Sequence, residues 1–273
     1  MHMQPESQTP SPDKDQGGHN VHDAENNLTA FKHILSSDDK DINHRGQNGK
    51  TAIMCAAQEG NSDMFDLFVA KGADLSILDA GGNNILHYAS VGGDVKIMKY
   101  IISEHKASIN SRDEYQRTPV VLAASYGRVD AFMFLVNQGV DLTLKDAFSN
   151  NILHSACYGG NVDIVKYVLS QTPVNINSID KFLRTPVMWA AQLGHKLVFD
   201  LLVDRGGDLK LHDFVGNNIL HYACTGGHME IVKYLLSSNV VDRDGRNSYG
   251  FTASAVAKHH GLGSVQELIL SQR

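Results

Sequence analysis

Asn151-Ile-Leu-His154-Ser-Ala-Cys157-Tyr-Gly159-Gly160 occurs three times in this chain with little change. It stands earlier as Asn84-Ile-Leu-His87-Tyr-Ala-Ser90-Val-Gly92-Gly93 and later as Asn218-Ile-Leu-His221-Tyr-Ala-Cys224-Thr-Gly226-Gly227, with 67 positions between successive copies. A second motif lies between the copies: Thr118-Pro-Val-Val-Leu-Ala-Ala124, and 67 positions on, Thr185-Pro-Val-Met-Trp-Ala-Ala191. Adding Thr51 and Thr252 gives seven equivalent helix-start positions, separated alternately by 33 and 34 residues. A fixed period of this size means a stacked array, in which each unit buries its apolar face only against its neighbours. An array offers a long surface and no enclosed pocket, so its chemistry is expected to be binding.

Each unit follows one plan. Thr or Asn sits where the first helix begins and can cap its free N–H groups. Pro119 and Pro186 follow at a position whose N–H has no helical partner. Small residues come next (Ala56-Ala57, Ala123-Ala124, Ala190-Ala191), so that helices can pack closely, and a glycine closes the helix with a left-handed turn. The second helix is amphipathic, as in Val162, Ile164, Val165, Val168 and Leu169. An extended stretch with a turn leads to the next unit.

Thr118-Pro-Val-Val and Thr185-Pro-Val-Met are similar to the Thr-Pro-Leu-His signature of ankyrin repeats. Ala-Ala-x-x-Gly follows at Ala123 and Ala190, and Gly72-Ala-Asp74 resembles the family's Gly-Ala-Asp terminus. The resemblance covers residues 21–273. It implies an all-α solenoid of about seven repeats, built from paired antiparallel helices and projecting β-hairpin-like loops, with a non-catalytic role in binding proteins. The chain also departs from the pattern. Units of the Asn type keep His and lose Thr-Pro, Thr-type units lose His, and the last unit carries Ser254 where Leu is usual. Leu28, Phe31 and Leu35, with Ile42-Asn43 after them, read as a degenerate N-terminal cap. Residues 1–20, with Pro5, Pro10 and Pro12 among polar residues, read as a disordered tail. Thr9-Pro10 and Ser11-Pro12 in that tail have the form of proline-directed phosphorylation sites.

Composition narrows the partners. A formal charge of −6 and a pI near 6.1 give no footing for nucleic acid, which needs clustered Lys and Arg. No apolar run is long enough to span a bilayer, and residues 1–20 lack the apolar stretch of a secretory signal. Three cysteines, Cys55, Cys157 and Cys224, are too few and too scattered for a disulfide framework. The expectation is an intracellular monomer, in the cytoplasm first and the nucleus second.

Two pairs invite a metal reading: His154 with Cys157 and His221 with Cys224, each on one helix face. A structural zinc site wants four ligands, and each pair supplies two, its twin being a whole module away. The pairs therefore read as helix packing, and no metal or other cofactor is expected. Gly261-Leu-Gly263 lacks the third glycine, the preceding strand and the lysine of a nucleotide loop, and reads as a turn. No nucleophile, base and orienting group stand together, so no catalytic residue is assigned.

The variable positions speak for the surface. Three places before each helix start lies the tip of the projecting loop, occupied in order by Asn48, Gly81, Tyr115, Phe148, Phe182, Val215 and Tyr249, with Phe214 beside Val215. Exposed aromatics in a row make binding hot spots. Alternatively, they pack on the neighbouring loops and stiffen the array. Tyr126, Tyr158, Trp189 and Leu193 on the first helices extend the same surface. Together with Tyr115, Phe148, Phe182, Phe214 and Tyr249 they form the expected partner-binding set, along an array about 70 Å long at ordinary helix spacing. The leading expectation is an interaction module. A regulatory subunit that masks an enzyme or transcription factor is the alternative, and an enzyme is the weakest reading.

Overall fold

Seven N-caps set the architecture. In the computed structural model, which describes residues 41–271, Thr51, Asn84, Thr118, Asn151, Thr185, Asn218 and Thr252 each hold extended backbone immediately before a helix. The inner helices that start there are α1 (Ala52–Gln58), α3 (Ile85–Gly92), α5 (Pro119–Ser125), α7 (Ile152–Gly159), α9 (Pro186–Leu193), α11 (Ile219–Gly226) and α13 (Ala253–His259). Each is followed by an outer helix: α2 (Ser62–Ala70), α4 (Val95–Ser103), α6 (Val129–Asn137), α8 (Val162–Gln171), α10 (Lys196–Asp204), α12 (Met229–Ser238) and α14 (Gly263–Ser271). Among the described residues the only β pairing outside these helices is an isolated bridge between Arg246 and Thr252. The fold is an all-α repeat solenoid. The tail and most of the degenerate cap lie outside the described residues.

The core runs unbroken through the stack. Inner helices contribute Ile53, Leu86, Val120, Leu153, Val187 and Leu220, all fully buried, and each described inner helix packs on the next. Close packing is enforced at the end of every Asn-type inner helix. A Cβ on Gly159 would stand 2.1 Å from the Ala124 carbonyl oxygen, and one on Gly92 or Gly226 would meet the Ala57 or Gln192 carbonyl as closely. Only glycine lets two backbones approach this far.

The alternation of repeat types has a physical basis in three sets of contacts. Phe65, Phe132 and Phe199, fully buried on Thr-type outer helices, each meet a tyrosine of the following Asn-type unit edge-on: Tyr100, Tyr167 and Tyr234, at centroid distances of 5.9, 5.8 and 5.5 Å. Such pairs are worth about 0.5–1.5 kcal/mol beyond their burial. Asn43, Asn110 and Asn177 each accept a hydrogen bond from the backbone of the next unit, at Asp74, Asp141 and Asp208 (2.7, 3.0 and 2.8 Å). The third set is the Asn–His cap. Asn84 and Asn151 accept from the backbone N–H groups two and three places on, at 3.0–3.2 Å, and Asn218 accepts from that of His221 at 3.1 Å. The histidine returns the bond through Nδ1, a capping box in which imidazole replaces the usual Glu or Gln. The 67-residue module is thus visible in contacts as well as in letters.

Candidate functional site

The projecting loops are built on an aspartate, half-buried at Asp79 and buried in the other four, that the sequence reading passed over. Asp79, Asp113, Asp146, Asp180 and Asp213 each stand five residues before a helix N-cap. In each, one carboxylate oxygen accepts from the backbone N–H groups two and four places on, as Asp180 does from Phe182 and Arg184 at 2.8 Å; for Asp113 the bond is to the fourth, Arg117, at 2.7 Å. The other oxygen takes the side chain four places on: Asn83, Arg117, Asn150, Arg184 or Asn217, at 2.6–3.0 Å. Burial raises the Asp146 carboxyl above the ordinary carboxylate range, against the bonds from Asn150 and Phe148 that lower it. The signal was present as a recurring Asp at the repeat period, hidden because acidic residues also scatter over the helices.

Successive loops are tied tip to tip. The carbonyls of Asn48, Gly81, Tyr115, Phe148, Phe182 and Val215 each accept a backbone hydrogen bond from the following loop, at 2.8–3.0 Å. These carbonyls belong to the tip residues identified from spacing. Immediately after each tip the backbone turns left-handed. Glycine fills that place at four loops, but Gln116, Ser149 and Leu183 hold it at φ of 61°, 66° and 58°. A left-handed non-glycine residue costs roughly 1–2 kcal/mol. At the position after the tip the strain therefore falls on three consecutive loops, those whose tips are Tyr115, Phe148 and Phe182. In the first loop the tip residue Asn48 is itself left-handed at φ of 59°.

The tip aromatics form a ladder. Tyr115 stacks on Phe148 at 6.2 Å, Phe148 on Phe182 at 6.2 Å, and Phe182 meets Phe214 at 5.7 Å in a tilted arrangement. The Arg117 guanidinium lies over Tyr115 at 5.0 Å and that of Arg184 over Phe182 at 4.7 Å. Tyr115, Phe148 and Phe182 are half-buried by this stacking, while Phe214 and Tyr249 are 50% and 58% exposed. The two readings of the aromatic row are therefore compatible in geometry: the rings brace one another and still present their outer faces and edges.

Tyr126, Tyr158 and Leu193 are half-buried on the inner helices, consistent with the expected groove. Trp189 departs from it. The indole is only 3% exposed, set edge-on to Tyr158 at 5.6 Å and roofing the Arg184 guanidinium at 4.2 Å. Its helix position faces the neighbouring inner helices, which cover it. Tyr88 and Tyr222, at the same position in other units, donate their hydroxyls to Asp79 and Asp213 at 2.5 and 2.8 Å, and burial pushes both phenols upward in pKa. Trp189 finds no such partner. Its indole nitrogen, Arg184 Nη2 and Asn150 Oδ1 are buried without hydrogen bonds, and outside the N-cap threonines Thr51, Thr118 and Thr185 they are the buried side-chain atoms in that state among the described residues. Each such atom costs about 1–3 kcal/mol.

The histidine–cysteine pairs are occupied by packing. His154 Nε2 donates to the Arg184 carbonyl at 3.2 Å, which leaves Nδ1 to accept from the Asn151 backbone at 3.3 Å. Burial lowers the His154 pKa to about 4, and burial pushes the Cys224 thiol up to about 12 and that of Cys157 higher still. A neutral imidazole and inert thiols follow. Among the described residues no three His, Cys, Asp or Glu gather as metal ligands, and no helix is long and apolar enough to cross a membrane. Gly261 is left-handed at the end of α13, a turn as read.

Comparison with known proteins agrees with this geometry. The family model described as ankyrin repeats (3 copies) matches residues 21–113, 71–146, 120–213 and 187–272. The chain is 29% identical to the palmitoyltransferase AKR1 of Lachancea kluyveri over 171 residues, which is 60% of this chain and 23% of that protein. It is 25% identical to the putative ankyrin repeat protein L371 of Acanthamoeba polyphaga mimivirus over 246 residues, 76% of this chain and 32% of that one. Similarity to the human transient receptor potential cation channel subfamily A member 1 is 27% over 209 residues, 73% of this chain and 18% of the channel. The chain thus spans a third or less of the length of these relatives. Motif, stacking and family model converge: the chain belongs to the ankyrin-repeat family.

Proposed function

We propose that this array binds another protein, as a monomer and without catalysis, through the face made by its loop tips and inner helices. An ankyrin array is a protein-interaction module, and the finer reading concerns which face is used. The observation that carries it is the aromatic ladder from Tyr115 to Phe214, whose first three rings sit on loops with a left-handed non-glycine residue after the tip. Backbone strain concentrates at ligand clamps and active sites, and large aromatics dominate binding energy at interfaces. The outer helices offer less, since their exposed large apolar residues among the described residues, Leu67, Leu197 and Leu270, stand one to a helix on α2, α10 and α14.

Photo-crosslinking in cell extract tests the choice of face. A benzophenone amino acid placed at Phe214 should attach a discrete partner, whereas the same group at Leu197 on α10 should not. Equal labelling from both, or labelling from Leu197 alone, would overturn the assignment.

A further inference from the structure

One register position on the loops is exposed in every unit. It is the residue immediately before the loop aspartate, or before Gly46 and Asn247, which hold that place in the first and last loops. Arg45, Leu78, Arg112, Lys145, Ile179, His212 and Arg246 occupy it, and all seven are exposed. Four are cations and none is acidic, although the chain carries a net charge of −6. Neighbours in the row touch. Arg45 Nη2 donates to the Leu78 carbonyl at 2.8 Å, and Arg112 Nη2 donates to the Lys145 carbonyl. Arg112 Nε and Arg246 Nη1 donate within their own loops, to the carbonyls of Gln116 at 3.3 Å and Gly250 at 2.7 Å. These acceptors are neutral, so they orient the guanidinium groups without cancelling their charge. Among the described residues no member of the row joins an ion pair. Carboxylates nearby are engaged elsewhere. Asp113, Asp146, Asp180 and Asp213 are closed inside their loops, and the Glu114 carboxylate lies over Gly81. Asp141, whose carboxyl Thr143 and then Arg112 hold below the ordinary range, accepts from the Thr143 N–H and hydroxyl at 2.8 and 2.6 Å.

Within the row the cations give way to an aliphatic patch. Ile179 is 47% exposed, and Leu183, four places on in the same loop, is 43% exposed. The bonds of Arg112 to Gln116 and of Arg246 to Gly250 show that these two places stand side by side in a loop. Lys145 precedes the patch by one loop and Arg112 by two; His212 and Arg246 follow it by one and two.

We propose that the stretch from Arg112 to Arg246 receives an extended acidic segment of the partner, with one aliphatic side chain seated on Ile179 and Leu183. This rests on the protein-binding reading above and specifies the charge and register of what is bound. Exposed side chains select both halves of the occupant: carboxylates answer Arg112, Lys145 and Arg246, and an aliphatic side chain answers the patch between them. Successive loops lie about 8–10 Å apart at ordinary helix spacing, which an extended chain covers in about three residues. The segment therefore carries acids about three and six residues to one side of its aliphatic residue, opposite Lys145 and Arg112, and about six residues to the other side, opposite Arg246. A basic segment would meet like charges on three of the loops. A nucleic acid strand would find the cations interrupted by Ile179 on a chain of net charge −6, and the tip rings already stacked on one another at 6.2 Å. The row is continuous with the aromatic ladder, since Lys145 and Ile179 stand three places before Phe148 and Phe182. Charge complementarity of this kind steers encounter and rejects wrong partners.

The probe is a set of linear peptides selected from a random phage-displayed library against the intact chain. Enriched peptides should be net negative and carry an aliphatic residue with Asp or Glu about three residues away. For a synthetic peptide followed by fluorescence anisotropy, raising the ionic strength from about 0.1 to 1 M, which shortens the screening length from about 10 to 3 Å, should weaken binding about tenfold. Exchanging its acids for Gln should do the same. The double variant Lys145→Glu with Arg246→Glu should lose the acidic peptide by about tenfold or more and gain a version in which Lys replaces the acids. Lys145→Gln, a milder change on an exposed side chain, should melt as the parent does and weaken binding a few-fold. Ile179→Ser should weaken binding several-fold and leave its salt dependence unchanged. Neutral or basic enriched peptides, an affinity indifferent to salt, or full binding of the acidic peptide by the Lys145 variants would each overturn the inference, as would a library yielding no binder. A single-stranded oligonucleotide that binds more tightly than the peptides, and loses that binding in the double variant, would overturn it in favour of nucleic acid. If a benzophenone at Phe214 still captures a discrete partner, these failures leave the protein-binding reading standing; capture of nothing removes that reading itself.

Discussion

Replacing Gly159 by alanine sets local propensity against packing, and the two predict opposite signs. Alanine is favoured over glycine inside a helix by about 1 kcal/mol, so α7 taken alone gains. In the stack the new methyl would lie 2.1 Å from the Ala124 carbonyl oxygen and 2.9 Å from that of Ser125, both backbone atoms that cannot rotate away. Restoring ordinary contact requires α5 and α7 to separate by about 1 Å, and a gap of that size forfeits a quarter to a half of the dispersion attraction along the pair. With overpacking costs of about 1–3 kcal/mol before that loss, the net effect is a destabilisation of about 2–4 kcal/mol. Urea unfolding followed by circular dichroism reads it. Cooperativity is weaker in long repeat arrays, so the loss should appear as an earlier first transition rather than a uniform shift. Gly263→Ala is the control, since nothing lies within 4 Å of its added methyl; it should be neutral or slightly stabilising. A Gly159→Ala variant as stable as the parent would refute the close approach of the inner helices.

Two further outcomes follow from the same contacts. Deleting 115–181 removes one 67-residue module, including the Phe132–Tyr167 pair, and joins Glu114 to Phe182 so that Asp113 faces Arg184 in place of Arg117; the shortened chain should fold with unchanged helicity per residue by circular dichroism and melt at a lower temperature. Acid should weaken the stack through His87, His154 and His221, whose pKa values burial lowers. The unfolded chain then binds protons that the folded chain refuses, so stability is full above pH 6.5 and falls as pH drops toward the folded value of about 4 for His154. Up to roughly 3 kcal/mol rides on His154 alone, and a His154→Gln variant should flatten the measured dependence between those pH values.

The repeat was legible because it imposes itself on letters. Asn or Thr at the cap, proline after it and glycine at the stop are chosen by single-residue backbone physics, and all seven caps fall where the spacing put them. What the letters hid were properties of pairs. Trp189 looks like an exposed anchor until the neighbouring inner helix covers it, and Tyr115, Phe148 and Phe182 look isolated until adjacent loops bring them within stacking distance. Asp180 reads as a surface charge until the loop folds around it and Arg184 closes on it. Leu183 gives no sign in sequence of a left-handed backbone, because that conformation is imposed by the loop and not by leucine. The His–Cys spacing was legible as one helix face, and only the structure supplies the Arg184 carbonyl that occupies the imidazole.

The double substitution of Phe148 and Phe182 by serine, with affinity and stability measured on the same variant, tests the central claim most directly. The ladder geometry sets the structural cost: three ring contacts are lost, at about 0.5–1.5 kcal/mol each, so the melting temperature should fall by several degrees while the chain stays folded at 25 °C. Binding to the crosslinked partner, measured by calorimetry at that temperature, should weaken further than the stability loss explains. Two anchors at about 2 kcal/mol or more each correspond to several hundredfold in affinity. An affinity within a few-fold of the parent, on a folded variant with a lowered melting temperature, would show that the aromatic ladder only braces the loops and would contradict the account.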